Sequence, residues 1–387
     1  MSGLKPVVGH DDVRSALAAA LLRGALAPAL LFTGPTGVGK QRVALWLAQL
    51  TLCDSPSADG PCGVCRHCRL ANHIEHPDIH WFFPLPRPRV SGGPDRLGDA
   101  LEDARADELV SRRSGSWSSV PRDDLVGIYL AHAQVIRRVA GTRPAMARHK
   151  VIIIGDAEQL VPQEASPDAA NALLKLFEEP PPDTTIIATA AEPDALLPTV
   201  RSRLLPVRFG RLSDRLVVDH LEGEGVTSEK AVLIARLAEG SIGRALGFVP
   251  AEGGVGLGQL DVMRQRARAV LDAVFDGAGE AYMVPLSQPP FKARGDFATM
   301  LEFVLSWLRD LAAMNAGAED SVINVDGADW LNTHAHRFGD GRAIADAIGD
   351  VDEMLHLTEF NINPQLALRG VIHRLGMRLS DETAVAR

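Results

Sequence analysis

The sequence lacks long apolar runs, and it has few lysines. Only six of its 40 basic residues are lysine, and Arg23, Gly24 and Pro28 interrupt its most apolar stretch, between residues 16 and 32. No run reaches the roughly 18–20 residues that a membrane span needs. The N-terminal residues also lack the apolar segment of a secretory signal. These absences predict a cytoplasmic protein that does not enter a membrane.

An excess of basic charge is missing as well. The 387 residues include 49 acidic and 40 basic side chains, for a net charge of −9. A globally basic nucleic-acid binder is therefore excluded, although a local basic patch is compatible with this balance. Hydrophobic residues make up 46% and charged residues 23%, which are the proportions of a globular protein, and the length suggests two or three domains.

Short apolar strands alternate with helical patterns in the first half of the chain. The predicted strands are Ala29–Thr33, Lys150–Ile154, Thr185–Ala190 and Leu205–Phe209, and helices are predicted at Leu125–Ala140 and Ala169–Phe177. This alternation is typical of an α/β fold with a parallel sheet that is covered on both faces. From Ser213 onward only helical patterns recur, including a stripe formed by Leu368, Ile372, Leu375 and Leu379.

Residues 84–122 have a different composition, rich in proline, glycine, serine and arginine. Such a composition predicts a mobile surface insertion. We expect one short helix within it, near Asp99–Val110.

A glycine-rich loop follows the first predicted strand and precedes a helix. It matches the Walker A pattern G-x-x-x-x-G-K with the consecutive residues Gly34, Pro35, Thr36, Gly37, Val38, Gly39 and Lys40. In this pattern the backbone N–H groups and the helix N-terminus cradle phosphate, and the lysine contacts the β and γ oxygens. The loop predicts binding of ATP or ADP.

The residues expected to hold Mg²⁺ depart from the pattern. Gln41 stands where a serine or threonine hydroxyl normally binds the metal. After the strand Lys150–Ile154, the chain continues with Gly155, Asp156, Ala157 and Glu158, where an aspartate followed by an acidic residue is expected. Either one carboxylate is displaced by a residue or the metal site is broken, so we expect nucleotide binding without efficient hydrolysis.

All four cysteines lie close together, as Cys53, Cys62, Cys65 and Cys68, in a C-x8-C-x2-C-x2-C spacing. In a chain without a secretory signal, this clustering favours a metal over disulfide bonds. Four cysteine ligands around tetrahedral Zn²⁺ leave no open position, so such a site is structural. An iron–sulfur cluster is the alternative, since C-x2-C-x2-C also occurs there.

Two arginine-containing segments follow the strands, and each has two interpretations. From the spacing alone, Arg203 is either a surface arginine or an arginine finger that contacts the γ-phosphate bound to a neighbouring subunit. Arg244 ends the segment 240–244, in which Ser241 either caps a helix or contacts phosphate.

Taken in order, these motifs resemble the bacterial clamp-loader subunits of the AAA+ class. The resemblance is carried by the loop at 32–40, the cysteine module after it, and the segments 171–181, 187–193 and 201–203. It implies a RecA-like ATPase core with a zinc module over 1–212 (cysteines at 53–68), a helical lid over 213–250 and a helical collar over 251–387. It also implies that Arg203 is the arginine finger and that Thr189 is the sensor 1 residue.

Within that family, the sequence is more similar to the stator subunit, delta-prime, than to the motor subunits gamma and tau. The motor needs a hydroxyl at Gln41, an aspartate at Gly155 and an arginine at Gly243, where Arg244 lies one position late. The resemblance implies partners: gamma/tau and delta in a five-subunit ring, the sliding clamp, and primer–template DNA through the assembly. A gamma/tau-like motor with its own ATPase is the alternative.

Overall fold

A computed structural model of the chain describes residues 3–90, 94–114, 117, 125–160, 167–250, 256–276, 293–338, 341–358, 360 and 362–379. These residues form two compact units. The first contains the described residues up to His220 together with Gly240–Gly243, and the second contains Leu221–Glu239 and the described residues from Arg244 onward. No helix in the described part of the chain has both the length and the apolarity needed to cross a bilayer.

A five-stranded parallel sheet organises the first unit. Its strands are β1 (Ala29–Thr33), β2 (Ile79–Phe82), β5 (Lys150–Ile154), β6 (Thr184–Ala190) and β7 (Leu205–Arg208), in the order β2–β5–β6–β1–β7. A separate antiparallel pair joins β3 (Leu85–Pro86) and β4 (Val126–Gly127). The α/β class predicted from the sequence is confirmed.

The helices of the first unit cover both faces of the sheet. They are α1 (Asp11–Leu22), α2 (Lys40–Leu52), α3 (Arg66–Asn72), α4 (Pro94–Ser114), α5 (Leu130–Ala140), α6 (Asp168–Glu178) and α7 (Pro198–Arg201). Because side chains alternate along a strand, Leu30 and Phe32 of β1 pack in one apolar core with α2, whereas Leu31 packs in a second core with α5 and α6. Such burial on both faces explains the continuously apolar strands.

The described part of the second unit is helical. The chain enters it within α8 (Asp214–Gly223), and α9 (Ser228–Ala238), α10 (Ile242–Gly247), α11 (Gln259–Asp276), α12 (Ala298–Asn315), α13 (Ala328–Ala335), α14 (Arg342–Leu357) and α15 (Pro364–Leu379) follow. The first two residues of α10, Ile242 and Gly243, belong to the first unit. Helices α11, α12, α14 and α15 pack in sequence, and α15 contacts α11 again. The stripe predicted at Leu368, Ile372, Leu375 and Leu379 is buried, as expected for the inner face of a helix.

A buried polar network fixes the middle of this unit. Arg264 of α11 donates from Nε to the side-chain oxygen of Asn324 at 2.8 Å and from Nη1 to Asp326 at 2.9 Å. Asp310 of α12 accepts from the backbone N–H of Ile323 at 3.0 Å and of Asn324 at 2.7 Å. Charged groups are buried at low cost only when they are paired in this way, so the network specifies how 323–326 packs on the helices.

The segment expected as a mobile insertion differs from that expectation over 94–114. Instead of a short helix near Asp99–Val110, the structure has the 21-residue helix α4, and Leu101 in its middle is fully buried in the core of the first unit. Leu97 and Ala104 lie on the same helical face and pack against that core. The remainder of the insertion includes residues 91–93, 115–116 and 118–122, which lie outside the described residues.

Candidate phosphate loop and cysteine cluster

Three neighbouring strands bring the predicted site residues to one edge of the sheet. Strand β6 lies between β5 and β1, and Ala188 pairs with both Ile154 and Leu31 in the parallel register. The carboxyl ends of parallel strands meet at the same edge, which is where α/β sheets bind ligands. The glycine loop after β1, Asp156 after β5 and Thr189 near the end of β6 therefore lie together.

The glycine loop has the backbone that its sequence predicts. Gly34, Gly37 and Gly39 have φ angles of 151°, 74° and 108°, in the region that side chains disfavour. At Gly34, a Cβ would lie only 2.3 Å from the backbone oxygen of Phe209. A substitution at this position therefore meets both backbone strain and a clash.

Lys40 is directed back into the loop. It is 5% exposed, and its Nζ donates to the carbonyl oxygens of Gly34 at 2.6 Å and Pro35 at 2.8 Å. Burial lowers the pKa of Lys40, and the charges of Asp156 and Glu158 oppose that shift. The ammonium group is thus at the loop, where a phosphate oxygen can replace a carbonyl partner.

Contacts from other segments hold the outer side of the loop. The Thr36 carbonyl accepts from Ser241 Oγ at 2.9 Å, and the Gly37 carbonyl accepts from the Gly243 N–H at 2.9 Å. The Val38 carbonyl lies 2.8 Å from His10 Nε2. The expected roles of Ser241 were a helix cap and a phosphate contact, and this hydrogen bond to the loop backbone is neither of them. Gly243, at the position where a motor subunit is expected to have an arginine, contacts the loop through its backbone N–H.

The side chain of Gln41 occupies the space that a side chain on Gly155 would need. Gln41 donates from Nε2 to Asp156 Oδ1 at 3.0 Å, and its amide atoms lie 2.9 Å from the point where a Cβ on Gly155 would stand. An aspartate at Gly155 would displace this amide. The two departures from the Walker pattern are therefore coupled, because the glutamine side chain occupies space that Gly155 leaves open.

The two carboxylates of this edge are held in fixed positions. The Asp156 N–H donates to Thr189 Oγ1 at 3.0 Å, and Glu158 Oε1 accepts from the Ala191 N–H at 2.8 Å. Burial raises the pKa of Asp156, which Lys40 opposes. Burial, with the charge of Asp156, also raises the pKa of Glu158. Thr189, fully buried, thus positions the backbone of Asp156.

Sequence reasoning missed one residue of the site. Arg112, near the end of α4, donates from Nη1 to Gln41 Oε1 at 3.4 Å, and its charge lowers the pKa of Asp156. Arg112 was missed because the composition of residues 84–122 predicted a mobile insertion and not a helix packed on the core. The signal that could have found it is the helical spacing of Leu97, Leu101 and Ala104, which predicts a helix packed on the core.

Arg203 and Arg244 lie in different settings. Arg203 follows α7, and its guanidinium donates to Glu178 Oε2 at 3.3 Å and to the Thr199 carbonyl at 2.7 Å, with the side chain 32% exposed. Arg244, in the second unit, donates to Glu302 Oε2 at 3.3 Å. Both arginines are thus partly exposed and ion-paired, Arg203 within the first unit and Arg244 within the second.

The four cysteines converge as their spacing predicts. The Sγ atoms of Cys53, Cys62, Cys65 and Cys68 all lie within 4.8 Å of one another, and those of Cys62 and Cys68 are 3.9 Å apart. All four are free of disulfide bonds. Tetrahedral Zn²⁺ with Zn–S bonds of about 2.3 Å requires Sγ separations of about 3.8 Å, so the cluster fits a single zinc ion after small side-chain adjustments.

Backbone N–H groups point at the sulfur atoms. Cys53 Sγ accepts from the Cys62 N–H at 3.3 Å, and Cys65 Sγ, at the start of α3, accepts from the Cys68 N–H at 3.4 Å. The N–H groups of Cys65 and Val64 lower the pKa of Cys62 to about 6, whereas burial raises that of Cys68. Such donors stabilise thiolate ligands around a metal.

Comparison with known proteins identifies the family. The family model described as "DNA polymerase III, delta subunit" matches residues 9–213, more than half of the chain. The delta' subunit of Pseudomonas aeruginosa is 35% identical over 46% of this chain and 41% of its own length. The tau subunit of Salmonella typhimurium is 28% identical over 79% of this chain and 43% of its own length. The delta' subunit of Bacillus subtilis is 25% identical over 80% of this chain and 79% of its own length.

The chain therefore spans less than half the length of the first two of these relatives. The match of the family model to the whole glycine loop, sheet and arginine segment nevertheless agrees with the resemblance drawn from the motifs. The chain belongs to the family of DNA polymerase III delta subunits, and it is a clamp-loader subunit of the AAA+ class.

Proposed function

We propose that this chain is the delta-prime-type stator of a DNA polymerase III clamp loader. In this role it helps to load the sliding clamp onto primed DNA while its own P-loop does not turn over ATP. Its partners are the gamma/tau and delta subunits in a five-subunit ring, with primer–template DNA contacted through the assembly. We further propose that it works in the cytoplasm, with an ATPase core over 1–212, a lid over 213–250 and a collar over 251–387.

The pairing of Gln41 with Gly155 is the observation that carries this proposal. A hydrolytic P-loop site holds Mg²⁺ between a hydroxyl after the lysine and the Walker B aspartate. Here an amide is hydrogen-bonded to Asp156, and it occupies the space of the missing side chain at Gly155. A magnesium ion does not fit among these residues as they stand. The loop keeps the backbone cradle for ATP or ADP without the metal ligands for hydrolysis.

The setting of Arg203 supports a role in a neighbouring subunit. Its guanidinium is partly exposed and is oriented by Glu178 and the Thr199 carbonyl. An arginine supplied in trans stabilises the charge that develops on the transferred phosphoryl group, which accelerates hydrolysis by several orders of magnitude. We propose that Arg203 supplies this cation to the ATP site of an adjacent motor subunit.

The cysteine cluster is proposed to hold one structural Zn²⁺. The four thiolates would fill all four tetrahedral positions, so no position remains for substrate. The convergence of four Sγ atoms with several N–H donors favours this assignment over four independent thiols. The metal would stabilise the start of α3 and the loop between Cys53 and Cys62.

The alternative is a gamma/tau-like motor, and the similarity to the Salmonella tau subunit supports this alternative. The two functions differ in ATP turnover at this chain's own site, whereas Arg203→Ala tests the arginine-finger role that the stator proposal includes. We expect a loader reconstituted with Arg203→Ala to lose, from its DNA-stimulated ATPase rate, the share of the one neighbouring site that Arg203 serves, because loss of an arginine finger slows that site by several orders of magnitude. Arg201→Ala is the matched control, because Arg201 lies on the same segment and pairs with Asp194. Equal rates for the two variant complexes would remove the proposed role of Arg203.

A further inference from the structure

Arg112 lies beside the position that a metal ion takes in related P-loop sites. Its Nη1 is 3.4 Å from Gln41 Oε1, and Gln41 Nε2 is 3.0 Å from Asp156 Oδ1. In a magnesium-dependent site, the residue after the lysine and the aspartate expected at Gly155 both lie at the metal. The Gln41 amide, 2.9 Å from the point where a Cβ on Gly155 would stand, therefore marks the metal position. One hydrogen bond therefore separates the guanidinium from the metal position.

Several contacts fix the orientation of this guanidinium. Its central carbon lies 3.9 Å from the ring centroid of Phe83 and 4.6 Å from that of Trp81. Its Nε donates to Glu108 Oε1 at 2.9 Å, one turn earlier on α4. With the plane held by the rings and Nε held by Glu108, Nη1 is directed towards Gln41. An arginine oriented in this way is suited to bind phosphate oxygens with little further loss of side-chain entropy.

The helix that carries Arg112 is anchored close to the phosphate loop. The neighbouring Arg113 donates to Glu75 at 3.1 Å and to the Ile74 carbonyl at 3.0 Å. Trp117 donates to the Arg112 carbonyl at 2.9 Å, and its ring lies 4.6 Å from the guanidinium carbon of Arg42 in α2. These contacts join the end of α4 to the helix that begins at Lys40.

We propose that the guanidinium of Arg112 replaces the divalent cation at this phosphate loop, so that nucleoside diphosphates and triphosphates bind without Mg²⁺. Lys40 and the loop N–H groups then hold the phosphates from one side, and Arg112 neutralises their charge from the other. The inference rests on the proposed phosphate-binding role of the loop. The proposal explains why the two departures from the Walker pattern, Gln41 and Gly155, occur together with an arginine that α4 places beside Gln41.

The test is a binding titration of the full-length chain with ADP and with a non-hydrolysable ATP analogue, in EDTA and in excess Mg²⁺. We expect the affinity of the natural protein to be the same within about twofold under the two conditions. Arg112→Gln should weaken binding about 10- to 100-fold, the range expected for lost hydrogen bonds to a charged group. Arg112→Lys, which keeps the charge, should retain part of the affinity.

Arg96→Gln is the matched control, because it removes the same charge from an exposed position at the opposite end of α4 and should bind as the natural protein does. Melting temperatures of all variants separate loss of binding from loss of fold. Mg²⁺ that tightens binding by the natural protein tenfold would overturn the proposal, as would undiminished binding by Arg112→Gln. Absence of nucleotide binding would also overturn it but would leave the stator proposal intact. The stator proposal is contradicted by ATP turnover at this site, or by an Arg203→Ala substitution that leaves the ATPase rate of the loader unchanged.

Discussion

Leu101 lies at the centre of the face that α4 presents to the core of the first unit. Its side chain is fully buried, and it belongs to the same apolar cluster as strand residues Leu30 and Ile153. Replacing it with alanine removes three carbon atoms from a closed environment without adding a polar group. The perturbation therefore tests whether α4 is part of the folded core, which the composition of residues 84–122 did not predict.

The expected cost follows from burial. Removing a fully buried leucine side chain to alanine costs about 2–5 kcal/mol, because the transfer free energy is lost and the cavity is only partly filled. Alanine is a slightly better helix former than leucine, which offsets only a few tenths of a kcal/mol. We therefore expect Leu101→Ala to lower the free energy of unfolding of the first unit by about 2–4 kcal/mol.

Amide hydrogen exchange read by peptide mass measures this loss separately in each unit. In peptides from α4 and from β5, opening should become about 30- to 1000-fold more frequent, since each 1.4 kcal/mol is a factor of ten. Peptides of the four-helix packing in the second unit should exchange as before. Val110→Ala is the matched control, because Val110 lies on the same helix and is 60% exposed.

Exchange in Leu101→Ala that matches Val110→Ala within about threefold would refute this reasoning. It would mean that α4 leaves the core readily, and that the position of Arg112 beside Gln41 is not maintained.

Further predictions concern the metal, the pH dependence and the loop. The natural chain should carry one Zn²⁺ by elemental analysis; Cys65→Ser should lower this content and the melting temperature, whereas His73→Asn should not. Burial lowers the pKa of His132 from 6.5 to about 4, so its contribution to stability is present above pH 6.5 and is lost as the pH falls towards 4. His132→Leu should reduce the slope of unfolding free energy against pH by up to one proton in that window. At the loop, Gly34→Ala should lower the melting temperature by several degrees, since its Cβ would meet the Phe209 carbonyl; an unchanged melting curve would contradict that geometry.

The central strands could be predicted because they are buried on both faces. The predicted Ala29–Thr33 and Lys150–Ile154 have the bounds of β1 and β5, and short continuous apolar runs of this kind are typical of strands in a parallel sheet. The edge strand β2 was missed because its sequence, Ile79–Phe82, contains His80 and is too short for a periodic pattern. Its pairing with β5 depends on the tertiary fold.

The site could be predicted where the chemistry is local in sequence. The glycine loop and the four cysteines are each recognised by the spacing of their own residues. The structure gives the loop glycines the expected backbone angles and brings the four cysteine Sγ atoms close to one another. The coupling of Gln41 with Gly155 and Arg112 could not be predicted, because these residues are far apart in the chain and no single motif contains more than one of them. Only the fold brings α2, β5 and α4 to one point.

The most direct test of the stator assignment is the ATPase rate of a reconstituted loader in which only this chain carries Lys40→Ala. Lys40 lies at the phosphate loop, so the substitution disables any turnover at this chain's own site. If the ATP hydrolysed by the complex is turned over in the neighbouring subunits, the rate should equal that of the natural complex. A fall in rate in proportion to one lost hydrolytic site would show that this chain is a motor, and it would contradict the account.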